Sequence, residues 1–128
     1  MKKIIKTDKA PLPVGAYNQA VIHNDTLYAS GQIAIDPTTN EVVKDVPIEE
    51  ETKLVMENIK AILEEAGLTF KDVIKCSVFV SDMENFGKIN GVYAQYFDEA
   101  TAPARELVEV ANLPKYVNVE ISIIAAFD

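Results

Sequence analysis

An apolar stripe at helical spacing follows Pro47, and it is one of only two such stripes in the chain. Its members recur at steps of three and four residues: Ile48, Thr52, Val55, Ile59, Ile62 and Ala66. Glutamates at 49–51 lie where the helix dipole is positive, and Gly67 follows the last member. The pattern therefore predicts an amphipathic helix that ends at a glycine.

A second and shorter stripe predicts one more helix. Its members are Phe86, Ile89, Tyr93 and Phe97. The preceding residues 81–84, Ser-Asp-Met-Glu, match a capping box, in which Ser81 begins the helix and Glu84 reaches back to it.

The rest of the chain consists of short runs that predict about six strands. Residues 73–80 alternate, so that Ile74, Cys76, Val78 and Val80 are expected on one face. Residues 19–33 hold two β-prone runs around Asn24-Asp25, which predicts a hairpin, and a second turn at 36–40 precedes a brief strand at 41–43. Two further strands are predicted near 104–110 and 116–126. In the last, one face carries Val117, Val119, Ile121 and Ile123, and the other carries Asn118, Glu120 and Ser122.

Two helices can cover only one face of such a sheet, so the pattern predicts an α+β fold with one open face. A chain of 128 residues suits a single domain spanning 1–128. The open face mixes polar and apolar side chains, which favours burial against further copies of the chain. We therefore expect a homo-oligomer, in which clefts between copies are favoured ligand sites.

Charge and residue content disfavour several classes of function. The net charge of −8 disfavours general binding to nucleic acid, whose phosphates need basic partners. No apolar run approaches the roughly 20 residues of a membrane span, no signal-peptide core follows the N-terminus, and the lone Cys76 agrees with a reducing compartment, so a cytoplasmic location is expected. Cys76 is expected in the core and His23 at the surface, without partners for a catalytic triad. The common phosphate, dinucleotide and zinc-protease motifs are absent, and we expect no metal or cofactor.

Four positions are candidates for a site, and each has a plain structural alternative. Arg105 presents a planar fork suited to a carboxylate, or else is an exposed strand arginine or forms an ion pair with Glu109. Glu120 accepts a hydrogen bond or orients water, or else is a solvated carboxylate. Gly31 marks either a close approach of ligand to backbone or a simple bulge. Tyr17 forms a pocket wall or anchors the N-terminal segment.

Several segments, taken in order and spacing, resemble the RidA family, also called YjgF-type proteins, over residues 10–125. The segments are Val14-Gly15-Ala16-Tyr17-Asn18-Gln19-Ala20, Ser30-Gly31-Gln32-Ile33 with Asp36-Pro37, Asn90-Gly91-Val92-Tyr93, Pro103-Ala104-Arg105 with Val108-Glu109-Val110, Leu113-Pro114 and Val119-Glu120-Ile121. The resemblance implies a chorismate-mutase-like two-layer sandwich with a six-stranded mixed sheet and two helices on one face. It also implies a homotrimer around a central β-barrel, with sites in the clefts between subunits.

The resemblance implies an activity as well. RidA proteins hydrolyse reactive enamines and imines, such as 2-aminoacrylate and 2-iminobutanoate, to 2-oxo acids and ammonia, so the expected enzyme is a 2-iminobutanoate/2-iminopropanoate deaminase without a cofactor. Carried over by matching motif, Arg105 would clamp the substrate carboxylate, and Glu120 would orient the attacking water. The residues that would line the pocket are Tyr17, Ser30, Gly31, Asn90 and Leu107. A backbone carbonyl near Leu107 would be a second partner of the attacking water.

The chain departs from the common family pattern at a few positions. Glu106-Leu107 stands where many members have Ser-Cys, so Leu107 would make the pocket more apolar and Glu106 would add negative charge nearby. Ala16 and Asn18 replace a common proline and a common serine beside Tyr17.

Two other functions stay open. Without turnover, the same cleft would sense 2-oxo or other small carboxylic acids. Some family members have been described as ribonucleases or translation inhibitors, which the acidic charge and the lack of a histidine pair or basic stripe disfavour here.

Overall fold

The computed structural model describes all 128 residues and contains eight strands and two α-helices. The strands are β1 (Lys3–Ile5), β2 (Ala20–His23), β3 (Thr26–Ala29), β4 (Ile35–Asp36), β5 (Glu41–Val42), β6 (Val73–Val80), β7 (Ala104–Glu109) and β8 (Val119–Ala126). The helices are α1 (Ile48–Glu65) and α2 (Phe86–Tyr93).

Six of the strands form one mixed sheet in the order β1-β2-β3-β8-β6-β7, and β4 and β5 pair separately. β6 and β7 are parallel, whereas the other pairs are antiparallel. β7 lies at one edge of the sheet. The expected mixed sheet of six strands with two helices is confirmed. Its sixth strand is β1, which the sequence pattern does not predict, whereas the strand expected at 41–43 pairs with β4 outside the sheet.

Both helices pack on one face of the sheet, as predicted. The main hydrophobic core joins α1, through side chains such as Val55 and Ile59, to the inward residues of β6 and β8, such as Val78 and Ile121. All four side chains are at most 1% exposed. Burying each side chain of this kind stabilises the fold by about 1.5–3 kcal/mol. The opposite face of the sheet is open, and it exposes large apolar residues such as Tyr28.

The predicted turns are present, and each uses a residue that tolerates positive φ. Asn24, at φ 55°, turns the chain between β2 and β3, and Asn40, at φ 59°, turns it between β4 and β5. The Asp36 side chain accepts a hydrogen bond from the Thr38 amide at 2.8 Å, which stabilises the second turn. Gly67, at φ 77°, ends α1.

The predicted capping box before α2 is wrong in its first residue. Asp82, not Ser81, accepts a hydrogen bond from the Glu84 amide at 3.0 Å and caps a short 3₁₀ turn that leads into α2. The Ser81 hydroxyl instead donates to Asn118 Oδ1, one residue before β8. Ser81 therefore bonds to a residue distant in the chain, whereas the local sequence pattern predicts that it caps the helix.

The predicted alternation fails at two strand ends. In β6 the register shifts between Val73 and Lys75, so Val73 is 3% exposed and Ile74 is 51% exposed, the reverse of the prediction. β8 begins at Val119 rather than at 116. Val117 packs in a small separate cluster, and Asn118 turns towards α1 and donates two hydrogen bonds of 2.8 Å to Glu51.

Two predicted placements are confirmed: Cys76 is buried, and His23 is exposed beside its turn. Neither helix combines the length and the apolar character that crossing a membrane requires.

Candidate functional site

Arg105 lies on the edge strand and points towards α2. It is the only arginine of the chain, and its partner in the parallel register is the buried Cys76. Neighbours across a parallel pair project to the same face, so Arg105 lies on the helix side of the sheet. Its Nη1 donates to Asn90 Oδ1 at 2.7 Å, and its Cζ lies 4.9 Å from the centre of the Tyr93 ring.

The alternative pairing of Arg105 with Glu109 is absent. Glu109 accepts a hydrogen bond from the Met83 amide at 2.8 Å, and the ion pair of the chain joins Lys75 and Glu106. A guanidinium has five N–H donors, and four of those of Arg105 have no acceptor within the chain. An exposed cation that is held in place with its donors free is suited to bind an anion.

The two residues after Arg105 point in opposite directions. Leu107 pairs with Val78 and packs against the main core, so its side chain is a partly buried member of the helix face. Glu106 lies on the open face, where it accepts a hydrogen bond from the Ser77 hydroxyl and forms an ion pair with Lys75 at 2.9 Å. Both partners lower the pKa of Glu106, and the hydrogen bond from Ser77 is the largest single cause. Within one chain, the sheet therefore separates the Glu106 carboxylate from the Arg105 guanidinium.

Glu120 lies on the open face as well. Its neighbours in β8, Val119 and Ile121, are fully buried under the helices, so Glu120 projects to the other side, opposite Phe79 in the register. The residue is half-buried, and this burial raises the pKa of its carboxyl group. A carboxylate in this state is better suited to accept a proton than an ordinary solvated one.

Gly31 lies directly beneath Glu120. A Cβ built at Gly31 would be only 2.3 Å from Glu120 Oε2 and 2.8 Å from its Cδ. The neighbouring residues Ser30 and Gln32 bond to backbone on either side, with the Ser30 amide 2.9 Å from the Gln19 carbonyl and the Gln32 amide 2.8 Å from the Ile121 carbonyl. The glycine therefore makes room for a carboxylate of its own chain.

One groove brings together four of the predicted site residues, Tyr17, Ser30, Gly31 and Glu120. It has a volume of about 850 Å³, and its other walls include the β4–β5 hairpin and the turn at Pro114 and Lys115. Tyr17 is 49% exposed there, and its hydroxyl accepts a hydrogen bond from the Val14 amide at 3.4 Å, so Tyr17 both lines the groove and holds its own loop.

The other predicted site residues do not line this groove. Asn90, Arg105 and Leu107 lie on the helix side, so a single chain presents the predicted site as two halves on opposite faces of the sheet. We call these the arginine half and the glutamate half. The sequence did not indicate the faces on which these side chains lie.

Sequence analysis missed a residue that organises the glutamate half. Gln19 is 1% exposed, accepts a hydrogen bond from the Thr7 amide at 2.7 Å, and donates to the carbonyls of Thr7 and Pro11 at 2.9 and 2.8 Å. It thereby ties the N-terminal segment to the Tyr17 loop. The one sequence signal for Gln19 is its place within the first of the segments that resemble the RidA family.

Comparison with known proteins agrees with this architecture. The sequence profile of the family described as endoribonuclease L-PSP matches residues 7–127. The chain belongs to the RidA family. A solved Rid-family protein from Yersinia pestis, of unknown function, superimposes with a TM-score of 0.95 at 42% identity, covering 99% of this chain and 100% of that one.

RidA-family relatives also match along their whole length. A RutC family protein of Synechocystis is 51% identical, covering 96% of this chain and 95% of the relative. TdcF of Escherichia coli, named provisionally as a reactive intermediate deaminase, is 47% identical over 98% of this chain and 97% of its own. The crystal structure of E. coli TdcF with bound serine superimposes with a TM-score of 0.91 at 43% identity, covering 98% of this chain and 99% of that chain.

Proposed function

We propose that this chain hydrolyses reactive 2-imino and enamine acids, such as 2-iminobutanoate and 2-aminoacrylate, to 2-oxo acids and ammonia. The observation that carries the proposal is the state of Arg105, an exposed guanidinium that is held by Asn90 and has four open donors. A carboxylate fits this fork through two parallel hydrogen bonds. The serine bound in the TdcF structure supports the same ligand class, because serine carries a carboxylate and a nitrogen on the adjacent carbon.

The two halves of the site suggest that each complete site needs two copies of the chain. In a small imino acid the carboxylate and the reacting carbon are bonded neighbours, so one molecule cannot reach Arg105 and Glu120 of the same chain across the sheet. The exposed edge strand that carries Arg105 can instead approach the open face of a second copy. Repetition of such a head-to-tail contact closes a ring, in agreement with the homotrimer expected for the family.

The chemistry proposed for this cleft needs no nucleophilic side chain. A protonated imine is already electrophilic at C2, and an enamine reaches it by gaining a proton at carbon. Water attacks C2 while the Glu120 carboxylate accepts one of its protons, which gives a carbinolamine. That proton then passes to the nitrogen, the C–N bond breaks to release ammonia, and Glu120 accepts the proton of the remaining hydroxyl group, which leaves the 2-oxo acid. The raised pKa of Glu120 favours the first transfer, because it makes the carboxylate a stronger base. Arg105 contributes by fixing the acid end so that C2 meets the water.

A direct assay tests the proposal. 2-Iminobutanoate is generated in situ, and its conversion to 2-oxobutanoate is followed with wild type, Arg105→Ala and Lys88→Ala. Lys88 is an exposed cation on α2, so its variant matches the charge change without touching the arginine half. We expect acceleration by wild type and Lys88→Ala but not by Arg105→Ala. Full activity of Arg105→Ala would show that Arg105 does not act as the carboxylate clamp.

The same assay separates the alternative functions. Wild-type protein that binds 2-oxobutanoate but does not accelerate hydrolysis would be a carboxylic acid sensor. The endoribonuclease description of the family finds no supporting arrangement here, since the only histidine, His23, is exposed beside the β2–β3 turn and belongs to neither half of the site.

A further inference from the structure

One face of α2 surrounds the guanidinium of Arg105. Phe86, Asn90 and Tyr93 are separated by four and three residues, so they lie in a row along the same face of the helix. The Cζ of Arg105 is 6.0 Å from the centre of the Phe86 ring and 4.9 Å from that of Tyr93, and Asn90 accepts its hydrogen bond at 2.7 Å. We call these three side chains the α2 cradle.

Within the cradle, Tyr93 is the firmest contact. It is 6% exposed, whereas Phe86 is 40% exposed. The Tyr93 ring packs 4.8 Å from the ring of Phe97, and Phe97 in turn packs 5.4 Å from Phe70, so an aromatic cluster supports Tyr93 from behind. Burial raises the pKa of Tyr93, which keeps the ring a neutral phenol. The surface under Arg105 is therefore rigid and uncharged.

An aromatic ring holds a guanidinium in a way that a second hydrogen-bond acceptor cannot. The ring attracts the cation through its face, while the N–H donors of the guanidinium lie in the guanidinium plane and stay available. A carboxylate or amide in the place of Tyr93 would occupy some of these donors. With Asn90 alone, a long side chain on an exposed edge strand would also rotate about its single hydrogen bond.

We propose that Tyr93 is a positioning residue for the reaction, which holds the guanidinium of Arg105 so that its free N–H edge faces the substrate carboxylate. This inference rests on the proposed function of Arg105 as the carboxylate clamp. It assigns Tyr93 to substrate binding rather than to the proton transfers, so its loss acts on KM and on the Kd of carboxylic acids more than on kcat.

Three variants separate this role from a purely structural one. Tyr93→Leu removes the ring, Tyr93→Phe keeps it, and Phe97→Leu removes a ring from the same cluster that does not contact Arg105. For each we would measure kcat and KM with 2-iminobutanoate formed in situ, and the Kd of 2-oxobutanoate by calorimetry. Circular dichroism checks that each variant is folded, and Tyr93→Met, with its adaptable side chain, replaces Tyr93→Leu if the latter does not fold.

We expect Tyr93→Leu to raise both KM and Kd by about 10-fold, in the range of a partly desolvated cation–π contact, with kcat changed far less. Tyr93→Phe and Phe97→Leu should stay close to wild type. The role of Tyr93 is overturned, and the proposed function is not, if the wild type is active and Tyr93→Leu keeps the wild-type KM and Kd. The same holds if Phe97→Leu raises KM and Kd as much as Tyr93→Leu does. A wild type that neither hydrolyses the imine nor binds the oxo acid overturns the proposed function itself.

Discussion

Glu120 occupies the space that a side chain at Gly31 would fill. The 2.3 Å between a Cβ at Gly31 and Glu120 Oε2 is shorter than any contact between real atoms of this kind, and the Glu120 Cγ would lie at 3.1 Å. The absence of a side chain at Gly31 therefore lets the Glu120 carboxylate take its observed position. The carboxylate and the glycine form one unit of the glutamate half.

Substitution Gly31→Ala should displace the Glu120 carboxylate while leaving the sheet intact. Because a shift of about 1 Å in a catalytic group costs on the order of 100-fold in rate, we expect kcat to fall by about that factor. Steady-state kinetics with 2-iminobutanoate measures the effect. Gly87→Ala is the matched control, since nothing lies within 4 Å of its Cβ. Unchanged kcat in Gly31→Ala would show that the position of Glu120 does not limit the reaction.

Because Arg105 and Glu120 lie on opposite faces of one sheet, inactive variants of the two should complement each other. Arg105→Ala and Glu120→Gln chains, unfolded together and reassembled at equal ratio, place an intact arginine half against an intact glutamate half at about one quarter of their contacts, for random mixing in a closed ring. We expect about a quarter of the wild-type activity from the mixture and almost none from either variant alone.

The control for complementation is a mixture of wild type with the double variant Arg105→Ala/Glu120→Gln. For a site shared between copies, both mixtures retain about a quarter of the activity. For a site within one chain, the mixture of single variants stays inactive and the control retains about half. The two mixtures therefore have equal activity if the site is shared between copies, and only the control mixture is active if the site lies within one chain.

The raised pKa of Glu120 predicts a pH dependence of activity. The carboxylate must be ionised to accept the proton of water, so kcat/KM should fall as the pH decreases through its pKa, which lies above the ordinary value of 4.5 because of burial. A pH–rate profile measures this acid limb, and Glu120→Gln should lack it. An acid limb that persists in Glu120→Gln would assign the titration to the substrate or to another group.

The same shift predicts a pH-dependent stability. A carboxyl group whose pKa is raised on folding favours the folded state below its unfolded value near 4.5, and this contribution is lost as the pH rises through the folded value. At pH 7 the charged Glu120 therefore costs stability, and Glu120→Gln should raise the melting temperature. Thermal unfolding at pH 7 and pH 4 measures the difference, which should shrink at the lower pH.

Gln19→Leu should destabilise the fold through the N-terminal segment. It removes the acceptor of the buried Thr7 amide and the donor of three carbonyls, and one unsatisfied buried group alone costs about 1–3 kcal/mol. Urea unfolding should show a loss of about that size or more. Gln95→Leu, at an exposed position after α2, is the control and should change stability little.

Local patterns were sufficient for the elements that depend on neighbours in the chain. The stripe from Ile48 and the glycine at 67 predicted α1, and Asn24 and Asn40 predicted their turns, because helix periodicity and positive φ are properties of a few successive residues. The same reasoning failed at Ile74 and Ser81. A bulge against β8 decides the position of Ile74, and a hydrogen bond to Asn118 decides that of Ser81. Both partners are more than 35 residues away in the chain.

The residue types of the site follow from the sequence, through the ordered segments that resemble the RidA family, whereas their arrangement does not. Which face Arg105 or Glu120 occupies depends on the register of β7 and β8 against β6, and a shift of one residue would reverse it. The sequence pattern predicts Tyr93 as a core residue. Its ring contacts Arg105 only because α2 packs beside β7. The sequence by itself determined most of the elements and the types of the candidate site residues, because these are local properties of the chain. Only the tertiary structure decided that the candidate residues form two halves on opposite faces, because the pairing of distant strands sets the direction of every side chain.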